Sequence, residues 1–188
     1  MTAPPAARTY RGLPLADLLD EVSSAEPMPG AGYCAAVALE MAAGLVAMAA
    51  RVSRSEWGEA RGAAAQATTL RERIAPLAER NVEAYRTAVA KLGGEESGGD
   101  DELREALAKA AGVPLEIAEA AVVAERGDQA LRADAVSAAQ LAEAAANMAA
   151  TLVEVNLGTT SSDERVTRVR DLSGSASAAA QRARATLK

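Results

Sequence analysis

Histidine and phenylalanine are missing from this chain, and its 188 residues include one cysteine, one tryptophan and three tyrosines. Without His there is no His-dependent triad, no imidazole proton shuttle and no His metal site. The lone Cys34 excludes an internal disulfide and a Cys-rich zinc or iron–sulfur centre. Acid–base chemistry is left to carboxylates, Lys, Tyr, Cys34 or bound water. A basic stripe is also lacking. Lys and Arg number 20 against 26 Asp and Glu, a net charge of −6, which speaks against nucleic acid and anionic membrane as partners. Residues 1–12 carry Pro4, Pro5, Arg8 and Arg11 but no apolar core of a signal peptide. They read as a flexible tail before one domain, 13–188. No stretch alternates apolar and polar residues for long, so no sheet is expected.

What is present is alanine-rich helix. Leu15, Leu18, Leu19 and Val22 recur at helical spacing behind Pro14, giving a first short helix over about Leu15 to Ser23. Pro27-Met28-Pro29-Gly30-Ala31-Gly32 cannot be regular helix. It opens onto Tyr33 to Ala50, apolar on almost every face, the pattern of a helix buried in a bundle. Ala31 to Ala50 has about the length a bilayer needs. It is built of Ala rather than Leu or Ile and contains Glu40, so a cytoplasmic protein is expected rather than a membrane span.

Trp57 to Leu92 follows as helix, with Pro76 expected to kink or divide it. Gly93 to Asp100 reads as an exposed, mobile loop, and further helix is expected from about Asp100 to Glu125, interrupted at Gly112-Val113-Pro114. Ala130 to Leu157 and a last helix to about Leu187 complete the chain, the latter opened by a capping box of Ser161 with Glu164. The expected fold is all-α, a multihelical bundle of about six or seven helices around a central Ala-rich helix. Ala and Gly bury little apolar area each, so extra burial between subunits, a homodimer, is expected.

The candidates for chemistry each have a plainer reading. Pro29, Gly30 and Gly32 form either a turn before a helix or a ligand-facing loop whose N–H groups meet a polar or anionic group at the helix N-terminus. Glu40, inside the apolar helix, needs a partner or a raised pKa; it is either a catalytic acid or, more plainly, faces a neighbouring Arg or a subunit interface. Asn81 and Tyr85 are four apart and share a helix face, which a polar bundle edge also explains. Asp128 and Asp134 flank a helix start and suit its dipole, while Asn156 suits the far end as a cap. Cys34 has no base beside it in sequence and reads as a packed small residue. Met28, Met41, Met48 and Met148 read as loop or core filler.

Taken in order, these pieces resemble the formiminotransferase-cyclodeaminase C-terminal domain family, which includes stand-alone methenyltetrahydrofolate cyclohydrolases. The resemblance rests on the Pro27–Gly32 loop and Ala-rich helix, Asn81-Val82-Glu83-Ala84-Tyr85, Ala110 to Leu115, Gly127, Asp134 and Val155-Asn156-Leu157. It implies an all-helical dimer acting on one-carbon adducts of tetrahydrofolate, with a folate derivative as substrate and no metal or other cofactor. It further implies that Pro29, Gly30, Gly32, Tyr85, Asp128 and Asn156 bind substrate, with Asp134 and Asn81 at the catalytic positions. The chain departs from the family pattern at Ala31, which interrupts a run of Gly, at Asn81, where the family has Asp, and at Asp128, Ala130 and Ala133. A non-catalytic folate- or pterin-binding relative and a purely structural helical dimer are the alternative readings.

Overall fold

The computed structural model describes residues 9–53, 58–92, 129–157 and 162–187. Within them are five α-helices and a 3-10 turn, with no strand. They are α1 (Leu15–Val22), α2 (Ala31–Val52), α3 (Ala60–Leu92), α4 (Arg132–Leu157), preceded by the turn Gln129–Leu131, and α5 (Glu164–Ala185). The all-helical expectation therefore holds for the described residues. The helix expected over about 100–125 lies outside them, as does the expected loop over 93–100.

α2 and α3 run antiparallel. Gly32 at the start of α2 meets Asn81, Arg11 bridges Glu40 of α2 to Ala75 of α3, and Arg51 at the end of α2 reaches Thr68. α4 and α5 are antiparallel as well, joined by Arg184–Glu143, Ser173–Asn147 and Arg170–Glu154. α2 packs against both α3 and α4, so the second hairpin is applied to the first through α2. Small side chains permit this: Ala42, Ala43, Ala49 and Ala50 of α2 and Ala138, Ala139, Ala142 and Ala145 of α4 are fully buried. The few larger residues in the main core include Tyr33, Val46, Leu70, Ile74 and Val82. A smaller cluster joins Ala149, Ala150 and Val153 to Val166 and Val169. α2 is the one helix among the described residues long and apolar enough to cross a membrane, and most of that stretch is buried inside the bundle.

Three sequence expectations change. Pro76 does not divide α3, which runs unbroken from Ala60 to Leu92. The cost of one missing backbone hydrogen bond and a ring clash, about 3 kcal/mol, is opposed by burial of Ile74, Ala78 and Val82 on either side of it. The cap of α5 is Asp163, not Ser161: its carboxylate accepts the Arg165 N–H at 2.8 Å, and Glu164 is already helical. Met41 and Met48 are not core filler. They are 53% and 38% exposed, on an outward face of α2 that also carries Val52, 54% exposed.

Candidate functional site

The loop before α2 takes its form from its own residues. The Met28–Pro29 peptide is cis, and both residues are buried. Gly30 is the N-cap of α2 in an extended conformation, and its carbonyl accepts the first helical bond from Cys34 N at 3.1 Å. No side chain caps this end, so the first-turn N–H groups, which have no acceptor within the helix, present the positive end of the helix dipole.

Gly32, one turn into α2, is where the loop meets α3. A Cβ built there would stand 2.5 Å from Asn81 Cγ and Nδ2, and closer still to Oδ1. The Asn81 carboxamide therefore lies directly on the Gly32 backbone, in space that any side chain at 32 would occupy. Asn81 is half-buried, and its carboxamide forms no hydrogen bond with another described residue. Tyr85, one turn further along α3, packs against the main core. Five of the sequence candidates thus gather at one end of the α2–α3 hairpin: Pro29, Gly30, Gly32, Asn81 and Tyr85.

Asp134 sits in the first turn of α4, half-buried, as its suitability for the helix dipole suggested. Among the described residues no hydrogen bond or ion pair joins it to the Gly32–Asn81 pair. Asp128 lies outside the described residues. So does the side chain of Asn156, whose backbone forms part of the last turn of α4. No group of three or more Cys, Asp or Glu among the described residues is arranged to hold a metal.

Beneath the loop lies a polar network that the sequence did not announce. Residues Thr9 to Arg11, read from sequence as part of a flexible tail, cross from α3 to α2. Glu79 Oε1 accepts from Thr9 Oγ1, Tyr10 N and Arg11 N at 3.0, 2.9 and 2.8 Å. The Arg11 guanidinium donates to both Glu40 oxygens, at 2.8 and 3.1 Å, and to the Ala75 carbonyl at 2.6 Å. Glu40 has the neighbouring Arg that its place in an apolar helix required. Tyr10 is buried edge-on against Tyr33, with ring centroids 5.7 Å apart, and its hydroxyl donates to the Met28 carbonyl at 3.2 Å. A signal for Tyr10 did exist: in a chain with three Tyr and no Phe, one aromatic in the N-terminal stretch is conspicuous.

Ionisation follows from this packing. Burial first, then the negative charge of Glu79, pushes the Tyr33 phenol above its ordinary range, against the opposing charge of Arg11. Burial also raises the Cys34 thiol, only partly offset by a backbone hydrogen bond. That is the opposite of the shift that activates a nucleophilic thiol, so the packed-residue reading of Cys34 stands.

A glycine loop opening an Ala-rich helix, with a carboxamide from the neighbouring helix laid on its first turn, defines an all-helical domain with a polar site at one end of a helix hairpin. The family profile described as formiminotransferase-cyclodeaminase matches residues 14–173, and the chain belongs to that family. Among solved structures it is similar to formiminotetrahydrofolate cyclodeaminase from Thermotoga maritima. The two are 25% identical, with a TM-score of 0.74 over 94% of this chain and 96% of that one. No curated protein matches.

Proposed function

We propose that this chain is a folate one-carbon enzyme of the cyclodeaminase/cyclohydrolase type, working in the cytoplasm on a tetrahydrofolate derivative. The observation that carries this reading is the contact between Gly32 and Asn81. Two family motif positions, 49 residues apart in sequence, touch at an uncapped helix N-terminus. Family membership and the similarity to the Thermotoga cyclodeaminase supply the substrate class.

In this reading the N–H groups at the start of α2 orient a polar or anionic part of the ligand. The Asn81 carboxamide, which can donate and accept, orients the substrate or the attacking water. The methenyl carbon of a tetrahydrofolate adduct belongs to an amidinium-like cation. Water adds to it, one C–N bond of the ring breaks, and a formyl group remains on the other nitrogen. Cyclisation of a formimino adduct uses the same carbon: the second nitrogen, outside the pterin ring, adds to it and the imino nitrogen leaves as ammonia. Asp134 is assigned the carboxylate role, stabilising the cation or taking a proton from water. Asp128 and Asn156 complete the set of substrate-binding residues.

The active species is proposed to be a homodimer. α2 leaves Met41, Met48 and Val52 exposed, with Leu45 half-buried between them, at the i, i+4, i+7, i+11 spacing of one helix face. A core built largely of Ala gains from covering such a face. Sedimentation should report a dimer, and Met48→Glu should shift it toward monomer.

Asn81 also favours a second reading, a folate-binding relative without turnover, because a carboxamide cannot act as a base. Two assays separate the readings: loss of methenyltetrahydrofolate absorbance, and release of ammonia from formiminotetrahydrofolate. Acceleration of either, in proportion to enzyme, supports the enzyme and says which reaction it runs. Saturable calorimetric binding without turnover supports the second reading, and absence of binding overturns both.

A further inference from the structure

Thr9 to Arg11 are tied down more densely than a chain end requires. Three donors converge on one oxygen of Glu79, and Arg11 spans from α2 to α3. Between these anchors Tyr10 is 4% exposed, wedged against Tyr33 and with the Arg86 guanidinium 5.9 Å from its ring centroid. Its hydroxyl ends on the Met28 carbonyl. That carbonyl belongs to the residue before Pro29, which has no N–H through which the loop could be held from its own side. Beyond it the loop is tight: a Cβ at Gly30 would stand 3.2 Å from the Pro27 carbonyl oxygen. The chain of contacts therefore runs from Glu79 on α3, through the Tyr10 backbone and ring, to the backbone of the loop that opens α2. Glu79 is two residues from Asn81, so the same turn of α3 both anchors this segment and presents the carboxamide to Gly32.

We propose that Thr9–Arg11 is a strap and Tyr10 a positioning residue: through the Met28 carbonyl it holds the Met28–Gly32 loop in register with Asn81. The use of that register for a folate ligand rests on the reading in the previous subsection, whereas the strap itself does not. Tyr10 touches no reacting group. It acts by keeping the N–H groups of the first turn of α2 where the loop places them.

The experiment uses the full chain and two variants. Tyr10→Phe keeps the ring and removes the hydroxyl, and Glu79→Gln weakens the anchor for all three donors. Hydrogen exchange is followed at the Cys34 N–H, whose bond to the Gly30 carbonyl ties the loop to α2, and, as an internal control, in α5. Tyr10→Phe is expected to speed exchange at the loop about three- to tenfold, the range set by loss of one hydrogen bond, with α5 unchanged. Glu79→Gln should do the same at the loop and at Arg11. In the turnover assay Tyr10→Phe should raise KM by a similar factor and leave kcat within about twofold, a split that general destabilisation does not produce. Loop exchange equal to wild type in both variants overturns the strap, as does acceleration spread evenly over α5. If the wild type binds no tetrahydrofolate derivative, the functional reading fails, and faster loop exchange in Tyr10→Phe still supports the strap.

Discussion

Replacing Gly32 by Ala places one methyl group on the Asn81 carboxamide. The 2.5 Å separation from Asn81 Cγ and Nδ2 is about 1 Å inside the 3.5–4.0 Å at which carbon contacts are favourable. Something must move. Turning Asn81 off its rotamer costs about 0.5–1.5 kcal/mol, and separating two packed helices costs about 1–3 kcal/mol. Against this, Ala is favoured over Gly inside a helix by roughly 0.5–1 kcal/mol, with less to gain at a first-turn position. The contact atoms are the far end of a half-buried side chain, so Asn81 turns rather than the helices parting, and the balance predicts a net destabilisation of about 0–1 kcal/mol, or about 2–4 °C in Tm per kcal/mol for a chain of this length. Asn81→Ala removes all three atoms that the methyl group would meet and, at a half-buried site, should change stability by about 0.5 kcal/mol or less. In that background Gly32→Ala should be neutral or stabilising. A double-mutant cycle by urea denaturation should therefore return a coupling of about 0.5–1.5 kcal/mol. Additive effects would refute the contact on which the site is built.

Three further predictions follow from other parts of the molecule. If Asn81 stands where a catalytic carboxylate belongs, Asn81→Asp should raise kcat by about tenfold or more, within the usual contribution of a positioned general base; an unchanged or slower rate in a folded variant argues against that role. Tyr33 has its folded-state pKa raised, so the folded state retains a proton that the unfolded chain loses. Its contribution is intact below the unfolded value near 10.0 and is lost as pH rises past it. Tyr33→Phe should accordingly lose less stability than wild type between about pH 10 and 11, as read by denaturant midpoints. Asp163→Ala removes the α5 cap and the Asp163–Arg165 pair and should cost about 1 kcal/mol, seen as a Tm lower by about 2–4 °C.

Much of the fold was legible because helical periodicity and Pro/Gly punctuation are local signals. Pro14 marks the start of α1, where it proves to be the N-cap rather than the first helical residue, and Gly30 marks the start of α2. The apolar run from Tyr33 to Ala50 did become a largely buried helix. What failed depended on partners remote in sequence. Pro76 reads as a break until the burial of its neighbours is known. Met41 and Met48 read as core because composition does not say which face of an apolar helix is covered.

The candidate site divides in the same way. The loop, Asn81 and Tyr85 were legible as an ordered pattern, but their meeting at Gly32 is a matter of α2–α3 register, which no local signal encodes. The strap was hidden for the same reason. Tyr10 and Arg11 look like tail residues until Glu79, some seventy positions away, closes on them. Asp134 was placed on its helix turn by the N-terminal preference of acidic residues, a preference that carries no information about its distance from the loop.

The most direct test of the account is the initial rate of methenyltetrahydrofolate absorbance loss with wild type and Gly32→Ala side by side. Wild-type enzyme should accelerate the loss over buffer in proportion to its concentration, and the variant should be at least tenfold slower under conditions where both are folded. A wild-type protein that leaves the buffer rate unchanged at high concentration, or a Gly32→Ala protein as active as wild type, would contradict it.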